Sequence, residues 1–180
     1  MKCIDAYSLG LYKEPELEQM VRDIRSMGLS YLLEFRKHWN NELICQFYAS
    51  YHYERDPTGV VDIVHWTIER MHYKVDFITF SRLLGLSQAD RTAPELTEYE
   101  DVVLEEYRPM YLDGHTADGQ TVFLKPYYYV LNNILRQILY PKQGDSTFLR
   151  DDSQKVLQRF GDDFQKFSIS RYIWNKINDG

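Results

Sequence analysis

His65-Trp66-Thr67-Ile68-Glu69-Arg70-Met71-His72-Tyr73-Lys74-Val75-Asp76-Phe77-Ile78-Thr79-Phe80-Ser81-Arg82-Leu83-Leu84-Gly85-Leu86 carries the clearest change of period in the chain, from two residues to helical spacing. Val64, Trp66 and Ile68 alternate with His65, Thr67 and Glu69, while Val61 and Ile63 fall on the opposite face. A period of two, rich in β-branched and aromatic residues, suits a pleated and half-buried strand. Glu69-Arg70 is polar enough to turn, and Tyr73, Val75 and Phe77 then alternate with Lys74 and Asp76 as a second strand. Thr79 is a candidate N-cap, with Asp76 the alternative if the next helix starts earlier. Phe80, Leu83 and Leu84 follow at helical spacing. Gly85 supplies a left-handed C′ residue, and Leu86 can pack back on the last turn. The stretch therefore predicts a small hairpin feeding a short capped helix.

Outward from it, helices dominate. Upstream, Leu17, Met20, Val21, Ile24 and Met27 form a helical stripe behind Pro15, and Gly28 ends it. Glu14, Glu16 and Glu18 place negative charge where that helix N-terminus favours it. Residues 1–13 read as irregular. Leu29 to Trp39 reads as a second helix or turn-plus-helix. Glu42 to Tyr53 reads as a third, with Leu43, Ile44, Phe47, Tyr48 and Tyr51 on one face. Arg55-Asp56-Pro57-Thr58-Gly59 is a loop by composition.

Downstream, Asp113-Gly114 and Asp118-Gly119 mark turns, so Tyr111 to Val122 is expected as an exposed loop. Lys125 to Tyr140 carries the broadest apolar stripe: Tyr127, Val130, Leu131, Ile134, Leu135, Ile138 and Leu139. It should lie at the centre of a core until Pro141 stops it. Thr147 to Phe160 and Ser168 to Ile177 read as two closing helices. The expected fold is α+β and mostly helical: a single domain, 1–180, of about six to seven helices with one small β-hairpin.

The bulk numbers agree. A chain of 180 residues with 44% hydrophobic and 15% aromatic content can bury a real core without covalent staples. Fifteen tyrosines can line a core edge or a contact surface, since each has an apolar ring and a polar tip. A net charge of −6 argues against a dedicated nucleic-acid binder, which needs clustered Lys and Arg. Cys3 and Cys45 are too few and too isolated for a disulfide framework or a zinc site, and read as packed, inert thiols. No apolar signal core opens the chain, and no window approaches the ~18 uncharged apolar residues of a membrane span. The expectation is a soluble protein inside the cell, in the cytoplasm or nucleus.

Chemistry-bearing motifs are sparse. There is no Gly-rich phosphate loop, paired-His metal helix or Gly-x-Ser-x-Gly elbow. His65 and His72 can approach across the hairpin and, with Asp62 or Asp76, could form an acid–base or metal pair. Two ligands do not make a metal site, so neither a metal nor another cofactor is assigned and no catalytic residue is named. Lys125, Tyr127, Tyr128, Tyr129, Arg136 and Lys142 form the one aromatic-basic cluster, a candidate contact for single-stranded nucleic acid or a partner. Core-capping tyrosines beside solvated bases are the weightier reading. Glu98, Glu100, Asp101, Glu105 and Glu106 form an acidic run, read first as a solvated face and second as a contact for a basic partner.

Asn41-Glu42-Leu43-Ile44-Cys45-Gln46-Phe47-Tyr48-Ala49, then Tyr73-Lys74-Val75-Asp76-Phe77, then Arg82-Leu83-Leu84-Gly85-Leu86, in that order, resemble the plant transposon protein domain. Leu131-Asn132-Asn133-Ile134-Leu135 through Tyr140-Pro141-Lys142, and Tyr172-Ile173-Trp174-Asn175-Lys176-Ile177, are similar to downstream parts of the same retroelement-derived plant proteins. The resemblance spans about residues 41–178 and brings no catalytic residues with it. It implies a non-catalytic protein-interaction or self-association domain derived from a plant mobile element. The alternatives are a nucleic-acid-binding module using the Tyr127-to-Lys142 helix, and a small metal-dependent hydrolase at His65 and His72.

Overall fold

The computed structural model describes residues 15–34, 40–55, 62–96, 104–115, 118–139, 147–149, 151–160 and 167–178. Within them the chain is α+β and mostly helical. The elements are α1 Pro15–Ser26, α2 Ser30–Glu34, α3 Asn41–Ser50, β1 His52–Arg55, β2 Asp62–Ile68, β3 Met71–Asp76, α4 Phe77–Leu83, α5 Gln88–Thr92, α6 Leu104–Tyr107, α7 Pro126–Ile138, α8 Asp151–Gln158 and α9 Ile169–Asn178. Two short 3₁₀ turns, Arg108–Met110 and Thr121–Phe123, flank the segment leading into α7.

The hairpin forms as expected and gains a third strand. β2 pairs β3 antiparallel with Trp66 opposite Tyr73 and Val64 opposite Val75. β1 pairs the other edge of β2, with His52 opposite His65 and Arg55 opposite Asp62, giving the order β1-β2-β3. The helix expected over Glu42 to Tyr53 therefore stops early. Tyr51 leaves helical geometry at ψ 131°, and the next four residues alternate as a strand. His-Tyr-Glu-Arg carries too little apolar signal to mark a strand alone; pairing with β2 decides it.

Asp76, rather than Thr79, caps α4. Its carboxylate accepts the Thr79 N–H at 2.6 Å, and this bond holds the Asp76 carboxyl below the ordinary carboxylate value. The helix ends in a double bond, Leu86 N–H to Ser81 O and Gly85 N–H to Arg82 O, with Gly85 at φ +71°. α1 ends the same way, with Leu29 N–H to Ile24 O, Gly28 N–H to Arg25 O and Gly28 at φ +75°.

The main core collects α1, α7 and α8. Met20, Ile24, Leu29, Leu131, Ile134, Leu135 and Leu157 are essentially inaccessible to water there, and Ile138 packs half-buried at its edge. The stripe read on α7 is thus buried, at about 1.5–3 kcal/mol for each fully buried aliphatic side chain. A smaller core sits on the sheet, where Val64, Val75 and Phe77 pack around Trp174 of α9.

The Tyr111-to-Val122 segment is exposed at its turns, as expected, at Leu112 to His115, Asp118 and Val122, but it is anchored by buried residues. Tyr111 is buried and Thr121 nearly so, and Tyr111 bridges Leu124. Gln154 of α8 donates to Tyr111 Oη at 2.8 Å, and burial raises the Tyr111 phenol. The helix expected from Thr147 begins only at Asp151, because Phe148 bridges Gln120 instead. Residues 1–13, Cys3 among them, together with Phe35 to Trp39, Glu98, Glu100, Asp101, Tyr140 and Lys142, lie outside the described residues.

Candidate functional site

Four places gather chemistry-bearing side chains. The first is the outer face of the sheet. β1, absent from the sequence expectation, brings Glu54 and His52 beside His65. Glu54 Oε2 lies 3.0 Å from His65 Nε2, and His65 Nδ1 lies 3.2 Å from His72 Nε2. An ionised carboxylate only accepts, so His65 donates through Nε2 to Glu54. In its neutral form His65 then accepts the Nε2–H of His72 on Nδ1. His52 lies with its ring 6.2 Å from that of His65.

The carboxylates expected beside these histidines are engaged elsewhere. Asp62 accepts from Arg171 at 2.7 Å and from Tyr53 at 3.0 Å, and Asp76 caps α4. Burial, helped by the bond to Asp62, raises the Tyr53 phenol. The histidine chain lies on an open strand surface with the Glu54 side chain 60% exposed. Among the described residues no group of three or more His, Cys, Asp or Glu is placed to hold a metal ion.

The second place is the aromatic-basic helix α7, whose members separate. Tyr127 donates its hydroxyl to Asp23 of α1, and Tyr127 and Tyr128 pack half-buried against the main core. Tyr129 projects outward, on the same helical face as Lys125 and Arg136. Glu16 and Asp23 line the same depression as Lys125, Tyr127 and Tyr128, so two carboxylates stand where a phosphate backbone would have to lie. Glu105 and Glu106 of the acidic run are exposed on α6, with Arg108 bridging Glu105 at 3.3 Å.

The third place is the most extended. α3 has an apolar sequence, yet none of its side chains is fully buried. Phe47 meets Trp66 at 5.5 Å and Tyr48 at 5.2 Å, and Trp66 stacks on Tyr73 at 5.7 Å with 12° between the rings. Tyr73 Oη points to Met71 Sδ at 3.8 Å. The result is a continuous run, Tyr48-Phe47-Trp66-Tyr73-Met71, in which Tyr48 is 65% and Met71 60% exposed. Cys45, expected as a packed thiol, is exposed on this helix, because the helix faces the sheet with one side only. Hydrogen bonds lock α3 to the hairpin: Thr67 N–H to Ser50 Oγ at 2.8 Å and Glu69 N–H to Gln46 Oε1 at 2.8 Å.

One grouping had no sequence signal. Arg82 of α4, Arg91 of α5 and Arg171 of α9 line a single cleft of about 580 Å³ with Asp62, Asp76 and Phe77. They stand far apart in the chain, and only the packing of α9 across α4 and α5 unites them. No protein-family model, curated protein or solved structure matches the chain. No helix among the described residues is long and apolar enough to cross a membrane.

Proposed function

We propose that this chain is a non-catalytic protein-interaction domain of plant mobile-element descent. It acts inside the cell and associates through the aromatic face of α3 and the β2–β3 hairpin, with another copy or with a second protein. One observation carries the reading: an apolar helix with no fully buried side chain lies beside a ladder in which half-buried Trp66 links exposed Tyr73 and Met71 to the helix that carries exposed Tyr48. Aromatics and Met are the residues that interfaces enrich, and contiguous exposed apolar surface is rare on a monomer. The scaffold under this face is fixed by ring stacking and the Ser50 and Gln46 hydrogen bonds, so little order has to be gained on binding. The descent rests on the residue resemblance alone.

Sedimentation velocity across a concentration series tests the self-association arm. The wild-type mass should rise with concentration, and Tyr48→Ser with Met71→Ser should restore a monomer without lowering the melting temperature. A photo-cross-linking residue at position 48 tests the second arm. A chain that stays monomeric and yields no cross-linked protein from that position in plant extract overturns the proposal.

A further inference from the structure

We propose that the cleft between β3, α4, α5 and α9 receives an oxyanion carried on a peptide side chain, either a carboxylate or a phosphate monoester. The proposal rests on the reading of a binding domain but not on the aromatic face, so the two can fail separately. Three guanidiniums, Arg82, Arg91 and Arg171, line the cleft with two carboxylates, Asp62 and Asp76, on a chain of net −6. The carboxylates are already engaged. Asp62 holds Arg171 at 2.7 Å, and Asp76 holds the Thr79 N–H.

Arg171 is committed as well, with Glu95 at 3.3 Å and its guanidinium 3.6 Å over the Phe77 ring. Arg82 acts on the Asp76 carboxylate only at longer range. Among the described residues neither it nor Arg91 is held in a close pair with a carboxylate, and Arg91 spends one N–H on Leu86 O at 3.4 Å. Two planar forks at one cleft suit the bidentate capture of carboxylate or phosphate. The volume, about 580 Å³, lies within the range of small-ligand sites.

The lining also selects the carrier. Phe77 is its one aromatic among the described residues, and that ring is covered by Arg171 and by the edge of Trp174 at 5.8 Å. A nucleobase would find no open aromatic ring to stack on. Ile78 is half exposed, one helical turn from Arg82, and offers an aliphatic contact beside the anion. An acidic side chain with apolar neighbours in a peptide meets both demands.

The test is amide chemical-shift titration of the whole chain with three short peptides: phosphoserine flanked by leucines, its glutamate counterpart and the plain serine version. The expected result is shifts at Ile78, Arg82 and Arg91 with one or both acidic peptides. The tighter of the two identifies phosphate or carboxylate. Arg82→Gln and Arg91→Gln should each weaken that peptide at least about 10-fold, in line with the loss of one charge-assisted bond. Ile78→Ser should weaken the peptide while leaving inorganic phosphate unchanged. Equal binding of the serine peptide, inorganic phosphate as tight as the best peptide, displacement by a single-stranded oligonucleotide, or variants with unchanged affinity would each overturn the proposal. A monomeric chain with an unoccupied aromatic face would not.

Discussion

At the scale of single residues, two side chains set energies that the surrounding packing cannot replace, and a third sets one that the fold can do without. Asp90 of α5 caps α9 from a distance: its carboxylate accepts Ile169 N–H at 2.7 Å, Ser170 N–H at 3.1 Å and the Ser170 hydroxyl. Ile169 and Ser170 are fully buried, so removing the acceptor strands donors that water cannot reach. Asp90→Ala should cost about 2–3 kcal/mol in urea denaturation, more than an exposed cap of about 1 kcal/mol. Asp76 is such an exposed cap, and here pH is the probe. Its folded pKa lies below the unfolded value, so the carboxylate stabilises fully above the ordinary value of 3.8, and that stability drains as pH falls through the lower folded value. Asp76→Ala should therefore be about 1 kcal/mol less stable than wild type at pH 7, with the gap closing in acid. A gap that persists at the lowest pH would place the loss in packing instead. Ser81 behaves oppositely: its hydroxyl is buried without a partner among the described residues, so Ser81→Ala should leave urea stability unchanged or raise it by up to about 1 kcal/mol.

At the scale of elements, the hairpin turn is the place where local chemistry and fold disagree. Glu69 and Arg70 both sit at positive φ, 50° and 67°, the geometry of a two-residue turn that favours Asn-Gly. Replacing them by Asn and Gly should raise the urea midpoint by the equivalent of about 1 kcal/mol, because Gly has no Cβ to clash there and Asn offsets the cost with local hydrogen bonds. The Glu69 N–H to Gln46 bond uses backbone and would survive. The same hairpin shows what a sequence can display. Val64, Trp66, Tyr73 and Val75 announced β2 and β3 because alternating apolar residues face one core. Leu131, Ile134 and Leu135 announced α7 for the same reason at helical spacing. β1 stayed hidden because His52-Tyr53-Glu54-Arg55 is polar, and its pairing with β2 is a tertiary event. The acid beside His65 is hidden with it: Asp62 is nearer to His65 in sequence and Asp76 nearer to His72, but only this strand delivers Glu54. The arginine cleft was illegible for a plainer reason, since no local period relates positions 82, 91 and 171.

At the scale of the whole molecule, α9 ties two cores that would otherwise be separate. Ile169 and Tyr172 pack into the helical core, while Trp174 fills the sheet core, with its ring 5.0 Å from Phe80 and 5.8 Å from Phe77. Its polar contacts repeat the bridge: Arg171 to Asp62 of β2, Tyr51 to Asn178, and the α9 N-terminus to Asp90 of α5. The sheet has no comparable anchor in its own sequence. Its outer face is the open histidine surface, and a three-stranded sheet depends on whatever covers its apolar side. Removing Trp174 should therefore act unevenly. Trp174→Ala should cost about 3–5 kcal/mol, as large aromatic truncations do. The loss should appear first as faster hydrogen exchange at Val64, His65 and Val75, with Leu131 and Ile134 of α7 still protected. Leu131→Ala, in the helical core, should accelerate exchange in α7 and in the strands together. If Trp174→Ala exposes α7 as quickly as β2, the two clusters form one cooperative unit, and α9 is a member of it rather than the joint between them.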